Sequence, residues 1–310
     1  MRILIYGAGV QGSIYGALLA NGGHDVSFLA RGSRALQLRS SGFLLQGAVG
    51  DPDVRLAHPA VVESLEPTDH YDICLVTVRR EQIDAVLPTL ERSTVSQVAF
   101  MHNHASGSQT LMHQVGERRT IIAFPGAGGS LAEDGVVRYA LISEQPTMVG
   151  RFGRNLEGAD LILKTFRSAG LSVCAVTDPD AWLRRHAVMV GAMTGALWEF
   201  ACNAAKLAES NNGVADFIRA VREGYCALDA ARVRPAPLAL RAIFSWMPLR
   251  LSVAYWKKYL GSWRGELLFA AHARHAASEM AQISDEVASV MRSTRVLTPT
   301  FDRLRHAIPA

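Results

Sequence analysis

Residues Arg2–Gly12 have the sequence RILIYGAGVQG, in which a short apolar run leads directly into a glycine-rich loop. The loop has the pattern G-x-G-x-x-G, and the apolar face that follows it, Ile14, Ala17 and Leu18, predicts a helix. A strand, this loop and a helix in succession are typical of dinucleotide-binding domains, because the glycines let the backbone turn tightly and approach a pyrophosphate. The alternative is a glycine-rich turn without a ligand. The loop residues predicted to bind a cofactor are Gly7, Ala8, Gly9, Val10, Gln11 and Gly12.

The type of cofactor depends on the residues that follow the second predicted strand, 26–30. Dinucleotide-binding domains that use NAD usually have Asp or Glu there, which accepts hydrogen bonds from the ribose hydroxyls. This chain has Arg31 at that place, with Arg34 close behind it. A guanidinium is well shaped to bind phosphate, so this pair favours the 2′-phosphate of NADP(H) over NAD(H). The alternative is that Arg31 is a solvated surface residue that tolerates either cofactor.

Strand-like and helix-like segments alternate through the first half of the chain. Strands separated by helices indicate a doubly wound parallel sheet. Residues 135–150 are richer in β-type residues and turns, which predicts antiparallel edge strands at the end of this domain. Further parallel strands are predicted over residues 72–78, 95–101 and 119–124.

The pattern changes near residue 178. From there to the last residue it is helical, with interruptions at Pro235, Pro237 and Pro248. The sequence therefore predicts an α/β protein, with a Rossmann domain over residues 1–178 and an all-α domain over residues 179–310.

Charge and cysteine content argue against several classes of protein. A formal net charge of +4 over 310 residues is too small to predict nucleic-acid binding. The four cysteines form no C-x-x-C pair, which predicts thiols in a reducing compartment. The chain has no uncharged apolar run of about 18 residues, and its first residues lack the apolar stretch of a secretory signal. We therefore expect a cytoplasmic protein that does not insert into membranes.

Four stretches together resemble the ketopantoate reductase family, the 2-dehydropantoate 2-reductases. They are the glycine loop, Ala30-Arg31-Gly32, the segment 75–82 (LVTVRREQ) and His102-Asn103. The resemblance runs nearly end to end and implies that NADPH gives a hydride to the ketone of a 2-keto acid. It also implies a homodimer formed through the helical domain. The further residues that it places beside the cofactor are Thr77, Val78, Arg79 (where the family has Lys), Gln82 and Asn103, the last also near the substrate.

The segment 182–188, WLRRHAV, departs from the family pattern of Trp-x-Lys followed by Asn. Arg184 occupies the position of the Lys, to which the family's proton donation is credited, and Val188 occupies that of the Asn. An Arg does not readily give up a proton, since its pKa is above about 12, but it can stabilise an oxyanion or grip a carboxylate. Glu279 matches the family's substrate-binding Glu, whereas Leu267 lies where the family has a substrate-binding Ser.

A histidine on the same predicted helix is a second candidate for catalysis. His186 is a natural general acid near pH 7, but it lies two residues after Arg184, so the two side chains point to different faces. The alternative for His186 is a buried, hydrogen-bonded structural histidine. Together with His102 and His104 it lacks a carboxylate at a supporting spacing, so no metal site is predicted.

Residues 244–264 interleave aromatic with basic side chains, for example Tyr255-Trp256-Lys257-Lys258. Three interpretations compete: an amphipathic helix whose aromatic residues form core, an apolar wall for a bulky substrate, and an interface with a membrane surface or a second subunit.

These observations predict an NADPH-dependent reductase for a small-molecule carbonyl compound, bulkier or more apolar than ketopantoate. An NADP-dependent dehydrogenase running toward oxidation has the same sequence signature. A 2-dehydropantoate 2-reductase in which Arg184 replaces the Lys is the first alternative. A protein of another class, which binds NADP(H) as a sensor or scaffold without catalysis, is the second.

Overall fold

The chain divides into two compact units that are not consecutive in sequence. The computed structural model describes residues 1–48, 50–234 and 238–309. The two units are Met1–His102 with Ser108–Pro179, and Asn103–Gly107 with Asp180–Ala310. The sequence assigned residues 103–107 to the Rossmann domain, but these residues group with the helical unit because Ala105 hydrogen-bonds to side chains of that unit. The predicted break at Pro235 and Pro237 lies outside the described residues.

The first unit contains two sheets and the helices that connect their strands. Its strands are β1 (Arg2–Tyr6), β2 (Asp25–Leu29), β3 (Phe43–Gly47), β4 (Val54–Leu56), β5 (Ala60–Val62), β6 (Ile73–Val76), β7 (Gln97–Met101), β8 (Thr120–Phe124), β9 (Ala127–Leu131), β10 (Val137–Leu141), β11 (Thr147–Gly150) and β12 (Val173–Val176). Its helices are α1 (Val10–Asn21), α2 (Gly32–Ser41), a 3-10 turn (Arg80–Gln82), α3 (Ile83–Arg92), α4 (Gln109–Val115) and α5 (Leu156–Ser168).

The main sheet has eight strands in the order β12-β11-β8-β7-β6-β1-β2-β5. β1 pairs in parallel with β2 on one side and with β6 on the other, and only β11 runs antiparallel to its neighbour β8. The chain first builds outward through β2 and then crosses to β6, so the strand order reverses beside β1. This Rossmann-type order confirms the predicted fold class. In such sheets ligands bind beyond the carboxyl ends of the strands at the reversal point, which here are followed by Gly7, Ala30 and Thr77.

A second, four-stranded sheet in the order β4-β3-β10-β9 was not predicted from the sequence. The sequence assigned residues 135–150 to antiparallel edge strands of one domain. β11 does join the main sheet antiparallel to β8, whereas β10 forms an antiparallel hairpin with β9 in the second sheet. β3 pairs in parallel with β10, about 90 residues further along the chain, and no local pattern indicates such a partner.

Helix α1 packs unusually close to the main sheet, because two small residues four positions apart form its inner face. A Cβ added at Gly12 would meet Ile5 Cγ2 at 2.9 Å, and one added at Gly16 would overlap the ring of Phe28. Ile5 and Phe28 are completely buried on β1 and β2. The N-terminus of α1 is therefore held directly above the carboxyl end of β1.

The second unit is helical in the part of the chain that the structure describes, which agrees with the predicted all-α character. Its core contains Val188, Phe217, Phe244, Trp256 and Phe301, all of them buried. Its elements are α6 (Pro179–Glu199), α7 (Ala204–Glu209), α8 (Asn211–Ala230), α9 (Leu238–Arg241), a π-helical segment (Ala242–Trp246), α10 (Leu249–Leu260), a second π-helical segment (Gly265–Ala270), α11 (Ala271–His275), α12 (Ala277–Arg292) and α13 (Pro299–His306).

The aromatic segment 244–264 divides between core and surface. Phe244 and Trp256 stack with ring centroids 5.5 Å apart inside the core, as the first of the three interpretations expects. Trp246 and Trp263, in contrast, are 57% and 43% exposed, each beneath an arginine guanidinium. Among the described residues, no helix has the length and apolarity needed to cross a bilayer.

Candidate functional site

The glycine loop is shaped by two close contacts within the first unit. Gly7 has φ +109, a left-handed conformation that favours glycine, and a Cβ there would lie 2.9 Å from Val78 Cγ1. A Cβ at Gly12 would overlap the carbonyl oxygen of Gly7 and lie 2.7 Å from Thr77 Oγ1. The roles predicted for the first and third glycines, a tight turn and a close approach of helix to strand, therefore match the local geometry.

Thr77, which directly follows β6, holds the glycine loop through hydrogen bonds. Its Oγ1 donates to the carbonyl oxygen of Gly7 over 2.7 Å, and its backbone N–H donates to that of Tyr6 over 3.0 Å. The Gly7 N–H in turn donates to Leu29 O at 3.2 Å. The loop is thus fixed to β2 and β6 on either side of β1, and Thr77 and Val78 adjoin its first glycine.

The loop fits the pyrophosphate of a dinucleotide. A Cβ added at Gly9 meets no atom within 4 Å, so this part of the backbone is open to a close approach. Gly9 is the N-cap of α1, and neither a capping side chain nor an acidic residue occupies the first turn. The unpaired N–H groups and partial positive charge of a helix N-terminus favour an anion. The Gln11 side chain is bound to β9, where its Nε2 donates to Ala127 O at 3.0 Å.

The side chain of Arg34, predicted to share the 2′-phosphate with Arg31, forms hydrogen bonds to the glycine loop and the helix that follows it. Its Nε donates to Ala8 O and its Nη2 to Ser13 Oγ, both over 2.9 Å, and a third bond reaches Gln37. Desolvation by burial lowers the pKa of the Arg34 guanidinium from its ordinary value. Arg34 therefore supports the loop from within, a role that the sequence did not indicate.

Arg31 is exposed and lies beside a shallow cavity. Its Nε donates to Glu63 O at 3.0 Å. The cavity has a volume of about 360 Å³ and is lined by Arg31, residues 64–67, Thr89 and Arg92. Its charged lining residues are two arginines and one acid, Glu66, so the cavity beyond the carboxyl end of β2 has a net positive charge.

Arg79 and Gln82 form a local turn after β6. The Arg79 N–H donates to Gln82 Oε1 at 3.1 Å, and the Gln82 N–H donates to Arg79 O at 3.0 Å. The Arg79 side chain is about half exposed, and its Nη1 lies 3.9 Å from Glu81 Oε1. Gln82 thus stabilises the 3-10 turn, while the Arg79 charge stays at the surface.

In the second unit, Arg184 and the segment Asn103–Gly107 lie together. Arg184 Nε donates to Ala105 O at 3.0 Å, and a Cβ at Gly107 would lie 3.2 Å from Arg184 Nη2. Glu286 on α12 holds the other side of the segment, since its Oε2 accepts from Ala105 N at 2.8 Å and from Ser106 N at 3.2 Å. Asn103 is half-buried at the start of this loop. The sequence missed Glu286.

His186 is buried and stacks on Trp182, with ring centroids 5.1 Å apart and planes 10° apart. Burial, together with the charge of His272, lowers the pKa of His186 to about 3. At neutral pH the imidazole is therefore uncharged, and its burial disfavours the imidazolium that a general acid would use. Its catalytic role stays a prediction.

Replacing His186 should reduce the protein's sensitivity to acid. An unfolded chain protonates this histidine near pH 6.5, whereas the folded chain does not until about pH 3. The unfolded state therefore binds more protons in this window, and folding stability falls as the pH falls. By linkage the loss reaches roughly 2–3 kcal/mol at about pH 4.5. Between pH 6.5 and about pH 4.5, the free energy of unfolding measured with urea should fall less in His186→Phe than in the wild type. The same change at the exposed His58 controls for the loss of an imidazole, and an unchanged slope in His186→Phe would contradict the prediction.

The remaining positions of the family pattern are apolar or buried here. Val188, at the position of the family's Asn, is completely buried and packs so closely on α8 that a Cβ at Gly224 would lie 3.1 Å from its Cγ2. Glu279 is buried on α12, and Leu267 is half-buried in the second π-helical segment. Arg185 has no site role: its Nη1 donates to Tyr225 O at 2.9 Å and its Nη2 pairs with Asp229. Within the described residues, no three His, Cys, Asp or Glu side chains are grouped to hold a metal.

The comparisons with known proteins agree with this architecture. Residues 3–154 match the family model described as ketopantoate reductase PanE/ApbA. The chain is 29% identical over 193 residues to 2-dehydropantoate 2-reductase of Archaeoglobus fulgidus, covering 62% of each chain. It is 26% identical over 184 residues to that of Pyrococcus horikoshii, covering 59% of this chain and 58% of the other. These matches span about three fifths of the curated relatives' length.

Solved structures share the fold over nearly the whole chain. 2-Dehydropantoate 2-reductase from Geobacter metallireducens has a TM-score of 0.79 at 16% identity and covers 99% of both chains. D-Mandelate dehydrogenase, solved with NADH and anilino(oxo)acetate, has a TM-score of 0.76 at 17% identity, covering 99% of this chain and 97% of the other. At these identities the likeness shows the fold alone.

The Rossmann sheet and the open glycine loop are typical of domains that bind a dinucleotide. Over residues 3–154 this domain is similar to that of the ketopantoate reductases.

Proposed function

We propose that this protein is an NADPH-dependent oxidoreductase that reduces a carbonyl compound, a 2-keto acid or related ketone other than ketopantoate, to its alcohol. The observation that carries the proposal is the pairing of Arg184 with the loop of Asn103. The family's Lys position is thus occupied by a cation held beside the loop that bears Asn103, whereas the Asn and Ser positions have become Val188 and Leu267. A substrate with fewer hydroxyl groups and more apolar surface suits this exchange.

The residues of the first unit would hold the cofactor. The first-turn N–H groups of α1 would bind the pyrophosphate, and Arg31 would bind the 2′-phosphate together with Arg92, which lines the same cavity. When bound, the nicotinamide supplies a hydride to the carbonyl carbon. Arg79 would add a positive charge beside the cofactor's phosphates.

The residues of the second unit would bind and polarise the substrate. Arg184 would stabilise the negative charge that develops on the carbonyl oxygen, or grip the carboxylate of a 2-keto acid through its Nη groups. Asn103 would donate its side-chain amide to the substrate, and Glu279 would accept from a substrate polar group. A guanidinium holds its proton firmly, so the proton for the alkoxide comes from another group or from water.

A second candidate, 2-dehydropantoate 2-reductase activity itself, is favoured by the names of the curated relatives. The NADH in the structural neighbour likewise makes NAD(H) the alternative cofactor. From composition and family resemblance we further propose a cytoplasmic homodimer, which sedimentation would test.

The function is tested by following NADPH and NADH oxidation with ketopantoate and with a graded series of aliphatic and aromatic 2-keto acids and ketones. Turnover that rises with the apolar bulk of the substrate is the expected result. Ordinary turnover of ketopantoate would favour the second candidate. Tight NADPH binding without turnover of any carbonyl, and without NADP+ reduction by the matching alcohols, would contradict the proposal and support a non-catalytic role.

Arg31 and Arg34 form a matched pair for testing the cofactor. Arg31→Ala should weaken NADPH binding about tenfold to hundredfold and leave NADH binding nearly unchanged, because only NADPH carries the 2′-phosphate. Arg34→Ala should weaken both cofactors alike, because Arg34 supports the Ala8 carbonyl of the loop that binds the shared pyrophosphate. Dissociation constants from fluorescence titration decide the matter. Equal effects of Arg31→Ala on both cofactors would contradict the 2′-phosphate assignment.

A further inference from the structure

Residue Ala105 is held from both sides by opposite charges. Its carbonyl oxygen accepts from Arg184 Nε at 3.0 Å, and its N–H donates to Glu286 Oε2 at 2.8 Å. The same carboxylate oxygen accepts from the next N–H, that of Ser106, at 3.2 Å. Hydrogen bonds to charged groups are shorter and roughly twice as strong as neutral ones. One residue of a five-residue segment is thereby fixed to α6 and to α12.

The contact also sets the plane of the Arg184 guanidinium. The group is a rigid fork, so a bond from Nε to Ala105 O fixes the orientation of the whole plane and leaves the Nη edge on a defined side. A Lys at this position has a single flexible ammonium and no such constraint. Asn103 lies two residues before Ala105, so the clamp determines where Asn103 stands relative to the Nη edge.

Glu286 is half-buried on α12, two helical turns after Glu279 and on the same side of the helix. Its second oxygen, Oε1, accepts a hydrogen bond from Gln282 Nε2 at 3.4 Å, which helps to orient the carboxylate. The next residue back, Asp285, is exposed and pairs instead with Arg305 on α13. Two adjacent acids on one helix therefore have different partners, and only one of them reaches the 103–107 segment.

We propose that Glu286 is a positioning residue for the reaction. Through the N–H groups of Ala105 and Ser106 it holds the segment against Arg184, and so keeps Asn103 and the Arg184 guanidinium at a fixed separation for the carbonyl substrate. This inference rests on the proposed function, because it assigns Asn103 and Arg184 to the substrate. It goes beyond it by assigning a carboxylate that touches neither substrate nor cofactor.

The test compares Glu286→Ala, Glu286→Gln and Asp285→Asn. Glu286→Ala leaves two N–H groups without their acceptor, and we expect kcat to fall about tenfold to hundredfold, as for a misplaced reacting group. The KM for the carbonyl substrate should change less than about threefold, because the substrate's own contacts remain. Glu286→Gln keeps an acceptor oxygen without the charge and should recover most of the lost kcat. Asp285→Asn, on the same helix, should stay within about twofold of the wild-type kcat.

A second readout does not depend on activity. Amide hydrogen exchange in a peptide covering residues 103–107 should speed up at least tenfold in Glu286→Ala and stay at the wild-type rate in Asp285→Asn. A lower Tm with kcat within twofold of wild type, or unchanged exchange in the segment, would overturn the positioning role. If Glu286→Ala does not fold, Glu286→Leu, which has a similar volume and no acceptor oxygen, carries both readouts. If the wild type turns over no carbonyl, the proposed function fails by itself, and the exchange data still show whether Glu286 holds the segment.

Discussion

Gly9→Ala should lose at least about a hundredfold in NADPH affinity while keeping the wild-type melting temperature. In the unliganded protein a Cβ at residue 9 meets no atom within 4 Å, and the backbone there has φ −75, which alanine adopts without strain. The new methyl group would lie in the open space where we place the pyrophosphate, so it would clash only when the cofactor binds. NADH affinity should fall equally, since both cofactors contain the same pyrophosphate.

Gly12→Ala is the matched variant, in which both the melting temperature and the cofactor affinity should fall. Its Cβ would overlap Gly7 O and crowd Thr77 Oγ1, so the loop must move even without a ligand. Overpacking of this kind costs about 1–3 kcal/mol, which corresponds to a fall in Tm of several degrees. Calorimetry and fluorescence titration on both variants separate the two causes. If Gly9→Ala bound NADPH normally, no pyrophosphate would lie at this loop, and the cofactor site would have to be sought elsewhere.

Arg184→Ala should lower kcat/KM for the true carbonyl substrate by on the order of a hundredfold or more. Two losses combine in this variant: the positive charge that stabilises the developing oxyanion, and the bond that holds Ala105 O. Glu286→Ala loosens the same residue through its N–H and leaves the Arg184 charge in place, so a larger loss in Arg184→Ala reports mainly the electrostatic part. NADPH affinity should change little, because Arg184 lies in the helical unit and the glycine loop in the other.

Arg184→Lys gives the sharper outcome. A lysine restores a dissociable proton at the position where the family has Lys, so part of the activity lost in Arg184→Ala should return, with a basic limb in the pH–rate profile set by that lysine. Arg219→Ala, which removes an exposed guanidinium paired with Asp216 in the same unit, is the control and should leave kcat/KM unchanged. An unchanged kcat/KM in Arg184→Ala would remove this residue from the reaction.

Features that depend on residues close together in the sequence were predicted, whereas features that depend on distant residues were not. The strand, loop and helix of residues 2–21 form one local unit whose glycine spacing is itself the physical requirement, so the geometry of the loop could be predicted. Arg31 was placed correctly beyond the carboxyl end of β2, for the same local reason. Arg34 was predicted to join Arg31 at the phosphate because the two arginines are close in sequence, and its bonds to Ala8 and Ser13 of the loop and helix were not foreseen.

Long-range features could not be predicted in this way. The second sheet requires β3 to pair with β10, and neither of these short strands has a sequence pattern that identifies the other as its partner. Glu286 meets Ala105 across 181 positions, and on its own helix it looks like any solvated acid of an amphipathic face. His186 was assigned two alternatives because burial decides its charge, and burial is a property of the packed helices rather than of the motif.

The assignment of residues 103–107 to the helical unit bears on how relatives of this protein can be recombined. A chimera that joins the first 179 residues of this chain to the remaining part of a relative would separate the Ala105 segment from the arginine and the glutamate that hold it here. Cofactor binding would survive such a crossover, because the glycine loop lies wholly on one side of it. If the proposed substrate residues are right, we expect that transfer of substrate preference from this protein needs two transplanted pieces, the helical unit and residues 103–107.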